Sequence, residues 1–227
     1  MSRSQEDLER LLTEQLAYYS ARAPEYTQTA FPGLRTDVLD AATRELTQVV
    51  EDFRPTGDVL ELACGPGSWT AQLLHHAGTL TAVDGSPQML RLAAERVPHP
   101  GVRFVEAELF RWRPDRRYDV VFFGFWLSHV PLERFEEFWS LIADSLYPEG
   151  RVLFVDDACR TTDELIEGEG SPVIRRRLTD GRTYRAVKVP HAPQELEERL
   201  TALGWRIRVT PSATGPFFWG AGTRAPK

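Results

Sequence analysis

The stretch Asp58-Val59-Leu60-Glu61-Leu62-Ala63-Cys64-Gly65-Pro66-Gly67 decides the fold. A short apolar run carrying one acid opens directly into a loop of small residues. A helical pattern follows over 69–76, then a second apolar run, Thr79-Leu80-Thr81-Ala82-Val83, which closes on Asp84. Strand, glycine loop, helix and strand in that order make two parallel strands joined by a crossover helix. In open parallel sheets, ligands sit beyond the carboxyl ends of the strands, where the strand order reverses. The loop after the first strand and the acid after the second should therefore meet one ligand. Gly65 and Gly67 allow the backbone a close approach, since neither carries a Cβ. Asp84 is placed to accept hydrogen bonds from both hydroxyls of a ribose. A tight turn beside a surface aspartate is the plain alternative, and the complete order of elements argues against it.

Outward from this unit, the alternation continues. Residues 102–105, 118–123 and 151–155 read as further strands, with helical patterns starting at Pro87 and spanning 132–146. This is an α/β fold: a doubly wound, Rossmann-like, mostly parallel sheet with helices on both faces. Before it, 6–21 and 35–52 read as amphipathic helices, so 1–54 is expected to form an N-terminal helical cap on a ligand-binding domain, 55–227, the two folding together. After it, Asp180-Gly181 marks a β-hairpin inserted at about 171–190. A helix over 193–203 and two antiparallel strands at the sheet edge, 205–209 and 217–221, complete the expectation.

A dinucleotide site would carry a third glycine where Thr70 stands. Glu61 would also repel a pyrophosphate, whereas it suits an ammonium such as that of a methionine moiety. Those features favour S-adenosylmethionine (SAM) over NAD.

The same residues resemble the motifs of class I SAM-dependent methyltransferases. The run 60–67 is similar to motif I, with Ala63 in place of the first glycine, and Val83-Asp84-Gly85-Ser86 is similar to motif II. Ala107-Glu108-Leu109-Phe110 falls where the family sets an acid against the adenine amino group. Residues 118–121 resemble motif IV, and the resemblance runs on through 129–130. It implies that SAM is held by Glu61, Ala63, Gly65, Gly67, Asp84, Gly85, Met89, Glu108, Leu109 and Phe125, and that S-adenosylhomocysteine is the product. The segment 17–26 resembles the N-terminal cap of small methyltransferases, implying that Tyr19, Arg22 and Tyr26 lie near the methionine carboxylate. The segments 125–131 and 175–189 are similar to phosphonate O-methyltransferases of antibiotic biosynthesis.

Bulk properties bound the substrate. At net charge −6 the chain lacks the basic footprint that nucleic acid demands. It has no apolar run long enough to span a membrane, and its polar, acidic start is unlike a secretory signal. Cys64 and Cys159 suit neither a disulfide framework nor a metal site, so a cytoplasmic location is expected. Yet 171–190 holds six basic residues against one acid. A local cationic patch on an acidic protein points to a small anionic substrate.

The patch has two registers. A two-residue type I′ turn puts Arg175, Arg177, Tyr184 and Lys188 on one face; a three-residue loop with a glycine bulge at Gly181 groups Arg176, Tyr184 and Lys188. The resemblance favours Arg176 and Lys188. The patch could equally be a solvated edge kept soluble by charge. His129, beyond the fourth strand, could hydrogen-bond an anionic acceptor, serve as a base toward an amine, phenol or peptide terminus, or merely cap the next helix. The expected activity is O-methylation of a phosphonate or carboxylate in secondary metabolism, with His129, Lys188, Arg176 and Tyr184 orienting the acceptor. The rivals are a methyltransferase using His129 as base and a non-catalytic SAM-binding protein.

Overall fold

The computed structural model describes residues 4–28, 31, 34–166 and 171–226. Helix α1 (Gln5–Arg22) starts where the Ser4 side chain accepts the Asp7 N–H, with Glu6 and Asp7 in the first turn and Arg22 in the last. That distribution complements the helix dipole. A 3₁₀ turn (Ala23–Gln28) leads on to α2 (Thr36–Phe53). Then come β1 (Gly57–Leu62), α3 (Ser68–Leu73), β2 (Ala77–Asp84), α4 (Pro87–Arg96), β3 (Val102–Glu106) and β4 (Tyr118–Gly124). The chain continues through α5 (Phe135–Ser145), β5 (Leu146–Asp157), β6 (Val173–Arg177), β7 (Thr183–Val187), α6 (Pro193–Ala202), β8 (Trp205–Pro211) and β9 (Phe217–Arg224). At the start of α4, Ser86 accepts the Met89 N–H and Pro87 needs no partner for a missing donor.

The main sheet has seven strands in the order β3-β2-β1-β4-β5-β9-β8. All neighbours are parallel except β9, which runs against both β5 and β8. The expected antiparallel edge pair is present, with the final strand inserted between β5 and β8. The chain leaves β1 first toward β2 and β3, then returns to β4 on the other side. The switch point thus lies between the carboxyl ends of β1 and β4.

Strand side chains alternate between two cores. Val121 and Phe123 of β4 and Val152 and Phe154 of β5 face α5 and α6, while Val120, Phe122, Leu153 and Val155 face the opposite cluster. Ala42, Leu46 and Val50 of α2 belong to that second cluster, together with Val59, Leu73 and Leu80. β5 begins five residues earlier than its expected start, because Leu146 already pairs with Tyr118 across a register shift at the Pro148-Glu149-Gly150 turn.

The hairpin forms its own two-stranded sheet, β6 and β7, with Arg176 opposite Tyr184. Leu178 N–H donates to Arg182, Gly181 N–H donates to Leu178, and Gly181 has φ 90°. This is the three-residue loop with a glycine bulge. Among the described residues, no helix is long and apolar enough to cross a membrane.

Candidate active site

Two adjoining cavities open at the switch point. The smaller, about 90 Å³, is lined by Asp84, Gly85, Met89, Glu108, Leu109 and Phe110. The larger, about 660 Å³, reaches Arg22, Trp69, Asp157, Arg160, Glu164, Arg176 and Lys188. Tyr19, Tyr26, Ala63, Gly65, Gly124, Phe125 and His129 line both, so these residues mark the junction.

The loop after β1 bends over the end of β2. Gly65 N–H donates to Asp84 Oδ2 (2.8 Å) and Ser86 N–H donates to Asp84 Oδ1 (2.8 Å). Burial raises the Asp84 carboxyl above its usual range, and these backbone donors oppose the rise. Each oxygen keeps a lone pair for a further donor. Gly65 has φ 53°, and a Cβ there would point into open space. Ala63 and Phe125 also adopt left-handed backbone, at φ 52° and 56°. Non-glycine residues held this way mark sites where surrounding structure dictates the backbone.

Gly67 and Glu61 sit differently from the sequence expectation. Gly67 lines neither cavity; at φ 78° it precedes α3, and a Cβ would come within 3.0 Å of the Ala93 Cα. Its role is close packing of α3 on α4. Glu61 is buried beneath the loop, where Thr70 Oγ1 donates to it (2.6 Å). Burial pushes its carboxyl up to about 8. It therefore supports the loop from behind and does not line either cavity.

The side of the larger cavity away from Asp84 is built by β5 and the hairpin of β6 and β7. Lys188 is fully buried: its Nζ donates to Asp157 (2.9 Å) and Ser128 Oγ (3.0 Å), with Asp156 at 3.8 Å. Asp156 is itself bound by Ser128 N–H and Oγ. Arg176 pairs with Glu164 through Nη1, while its buried Nε has no partner among the described residues. Arg175, Arg177, Arg182 and Arg185 are exposed. Of the six basic residues in the patch, the fold thus turns two inward.

Tyr184 is not brought into the cavity. The hairpin lies along α1, so the Tyr184 ring packs on Tyr18 at 5.8 Å and its hydroxyl accepts from Arg182. His129 is buried with both ring nitrogens engaged. The Val187 carbonyl, 2.6 Å from Nδ1, can only accept, so Nδ1 carries the proton. Nε2 then accepts the Tyr19 hydroxyl at 2.7 Å. Burial, followed by the charges of Lys188 and Arg176, holds this imidazole well below its ordinary pKa. Gln15 locks α1 onto the same corner: its amide donates to the His129 carbonyl and accepts the Val187 N–H. Arg22 is buried, with its guanidinium 4.5 Å from the Tyr26 ring.

Sequence reasoning missed Asp157, Glu164, Arg160, Trp69 and Phe31. Asp157 carried a usable signal, since it closes a central strand as Asp84 does. Trp69 opens the helix recognised after the glycine loop but carried no sign of facing a cavity, and Phe31, Arg160 and Glu164 lie in segments without a recognisable spacing.

Fold and site together define a doubly wound domain with two adjoining cavities at its switch point. Residues 59–150 match the family model described as a methyltransferase domain. The solved DhpI–SAM–HEP complex is 40% identical over 97% of this chain and 99% of that one, with TM-score 0.83. The DhpI–SAH complex is 39% identical, covering 96% and 98%, at TM-score 0.82. Trans-aconitate 2-methyltransferase of Escherichia fergusonii is 39% identical over 95 residues, 40% of this chain and 36% of that relative, so the match spans about a third of its length. The chain belongs to the SAM-dependent methyltransferases.

Proposed function

We propose that this protein transfers a methyl group from SAM to an acidic oxygen, phosphonate or carboxylate, of a small metabolite. The observation that carries this reading is that Arg176, whose buried Nε has no partner among the described residues, lines the same cavity as the buried Lys188, beside the Asp84 site.

The residues present fit the cofactor. Asp84 retains acceptor capacity for two ribose hydroxyls, Glu108 lies in the adenosyl cavity, and the open side of Gly65 leaves room that a Cβ would fill. Arg22 lines the larger cavity near the junction, where the methionine carboxylate would meet it. Bound there, SAM supplies a sulfonium methyl, and its loss leaves S-adenosylhomocysteine.

An acidic oxygen is already anionic at neutral pH, so it needs alignment and exclusion of water more than a base. Arg176 and Lys188 supply donors for the non-attacking oxygens. Because Glu164 and Asp157 share their charge, the acceptor is positioned without its nucleophilic oxygen being quenched. Tyr19, fixed by His129, supplies one wall of the junction. A hydroxyl or amine acceptor with His129 as base has less support, because the Nε2 lone pair is already taken by Tyr19.

The test is methyl transfer from labelled SAM to a panel of phosphonates, carboxylates, phenols and amines, read by mass spectrometry. Transfer to acids that is lost in Arg176→Met while SAM binding persists is the expected result. Transfer confined to amines or phenols overturns the reading.

A further inference from the structure

The cavity beside the nucleoside is more than an anion socket. Away from Arg176 and Lys188, its wall is apolar: Phe31, Leu39, Leu46, Trp69, Phe125 and Phe217 line it together. Ring contacts fix this wall, with Phe31 at 5.2 Å from Phe125 and 5.1 Å from Phe217. Trp69 and Phe125 follow at 6.3 Å. Phe31, Leu39, Trp69 and Phe125 are only partly buried and each lines the cavity. Thr43, Ser68 and Gln72 add polar groups to the lining, and the Gln72 side-chain oxygen is buried with no partner among the described residues. Phe125 borders both cavities and Arg22 would draw the methionine end of the cofactor into the larger one, but Phe31, Leu39, Leu46, Trp69 and Phe217 line the larger cavity and not the smaller, so the adenosyl group does not cover them.

A volume of about 660 Å³ lies in the range of sites that enclose drug-sized ligands. A short polar acid beside the methionine end of the cofactor would leave the apolar wall facing water, which is unfavourable in proportion to its area. An acid with an apolar tail covers it. A hydrogen-bond donor on that tail would satisfy the Gln72 oxygen, which otherwise carries a desolvation cost.

We propose that the acceptor is an amphiphilic acid. Its acidic head lies at Arg176 and Lys188, and an aryl-sized tail bearing a hydrogen-bond donor fills the space between Phe31, Leu39, Trp69 and Phe125, with Gln72 accepting from the tail. The proposal rests on the acid-methylation reading and specifies the substrate class of that site.

The experiment compares kcat/KM for acetate, phenylacetate, 3-phenylpropionate and 3-(4-hydroxyphenyl)propionate, with methylphosphonate and benzylphosphonate as the parallel pair. At least a tenfold gain from the short acid to its aryl counterpart is expected, with a further gain from the hydroxyl. Leu39→Trp should shrink the aryl-to-short ratio, and Gln72→Leu should remove the gain from the hydroxyl alone. Calorimetric SAM binding confirms that each variant is folded. If short and aryl acids react equally well, the tail pocket is overturned and the acid-methylation reading stands. If no acid is methylated, that reading falls and the substrate class falls with it.

Discussion

Replacing Lys188 with Met tests whether one ammonium holds the corner of Asp156, Asp157 and Ser128 together. The Lys188 side chain is 3% exposed and neutralises a corner where Asp156 and Asp157, both almost wholly buried, meet Ser128. Methionine fills a similar volume but leaves these carboxylates without a counter-charge. Breaking a buried pair on one side costs ~3–5 kcal/mol. For a protein of this size each kcal/mol moves the midpoint by ~2–4 °C, so Lys188→Met should melt about 10 °C lower at pH 7.5. The loss should depend on pH with a definite sign. Asp156 already has its folded pKa raised, by burial first, with Lys188 opposing the rise. Without Lys188 that folded value climbs further. An acid whose folded pKa exceeds its unfolded value of ~3.9 destabilises the protein increasingly as pH rises through that window. The variant's deficit should therefore be largest at neutral pH and shrink toward pH 5. Adding Asp157→Asn should recover much of the stability without restoring the KM for an acidic acceptor. Scanning calorimetry across pH reads the first part, and methyl-transfer kinetics the second. A midpoint within ~2 °C of the parent at pH 7.5, or an equal deficit at every pH, would refute the pairing argument.

Asp84→Ala should weaken SAM binding by roughly 10–100-fold, the scale of lost hydrogen bonds to a charged acceptor, as measured by titration calorimetry. Ala63→Gly should leave urea stability unchanged or slightly improved, because φ 52° suits glycine, whereas the β-branched Ala63→Val should cost ~1–3 kcal/mol. Phe123→Ala, which removes a ring stacked on Phe154 at 5.3 Å in a fully buried position, should cost ~3–5 kcal/mol in the same assay. His129 and His191 are both buried with depressed pKa values, His191 to about 4. Groups of this kind stabilise fully above the unfolded imidazole value of ~6.5, and that stability is lost as pH falls below it. The raised pKa values of Glu61, Asp84 and Asp156 act in the opposite direction, so the histidine contribution is read as a difference. Between about pH 7 and pH 5 the melting point of His129→Gln should fall less, or rise more, than that of the parent, and kcat/KM should show no inflection near ~6.5 that His129→Gln removes.

The parallel sheet was legible because each of its strands is a short apolar run ending at a loop, and period alone separates such runs from the helices between them. Asp84 was legible for the same reason: a strand end in a doubly wound sheet is a fixed address. Glu61 and Gly67 were assigned to the ligand from spacing, yet spacing does not say whether a loop residue faces outward or back into the scaffold. Glu61 faces back to Thr70, and Gly67 to Ala93. The hairpin was legible as a hairpin, but its two registers differ by a single residue in the turn. Only the packing of Tyr184 on Tyr18 and the bonds around Gly181 distinguish them. Charge alone misled most, since four of the six basic residues in the patch face solvent and the inward two have carboxylate partners.

Those carboxylate partners bear directly on how an acidic acceptor would be held. A bare cluster of buried cations would bind a phosphonate or carboxylate tightly, but it would do so by drawing charge away from the oxygen that must attack. It would also bind the anion as well before the reaction as during it, and such uniform binding does not lower the chemical barrier. Asp157 and Glu164 divide the charge of Lys188 and Arg176, so each cation offers direction with a reduced field. Removing a carboxylate should then improve acceptor affinity and harm turnover. Glu164→Gln is the cleaner choice, because Glu164 lies outside the Asp156–Asp157 corner. A lower KM accompanied by a lower kcat is the expected signature for an acidic acceptor, and a rise in both kcat and kcat/KM would show that the partner carboxylate only dampens the site.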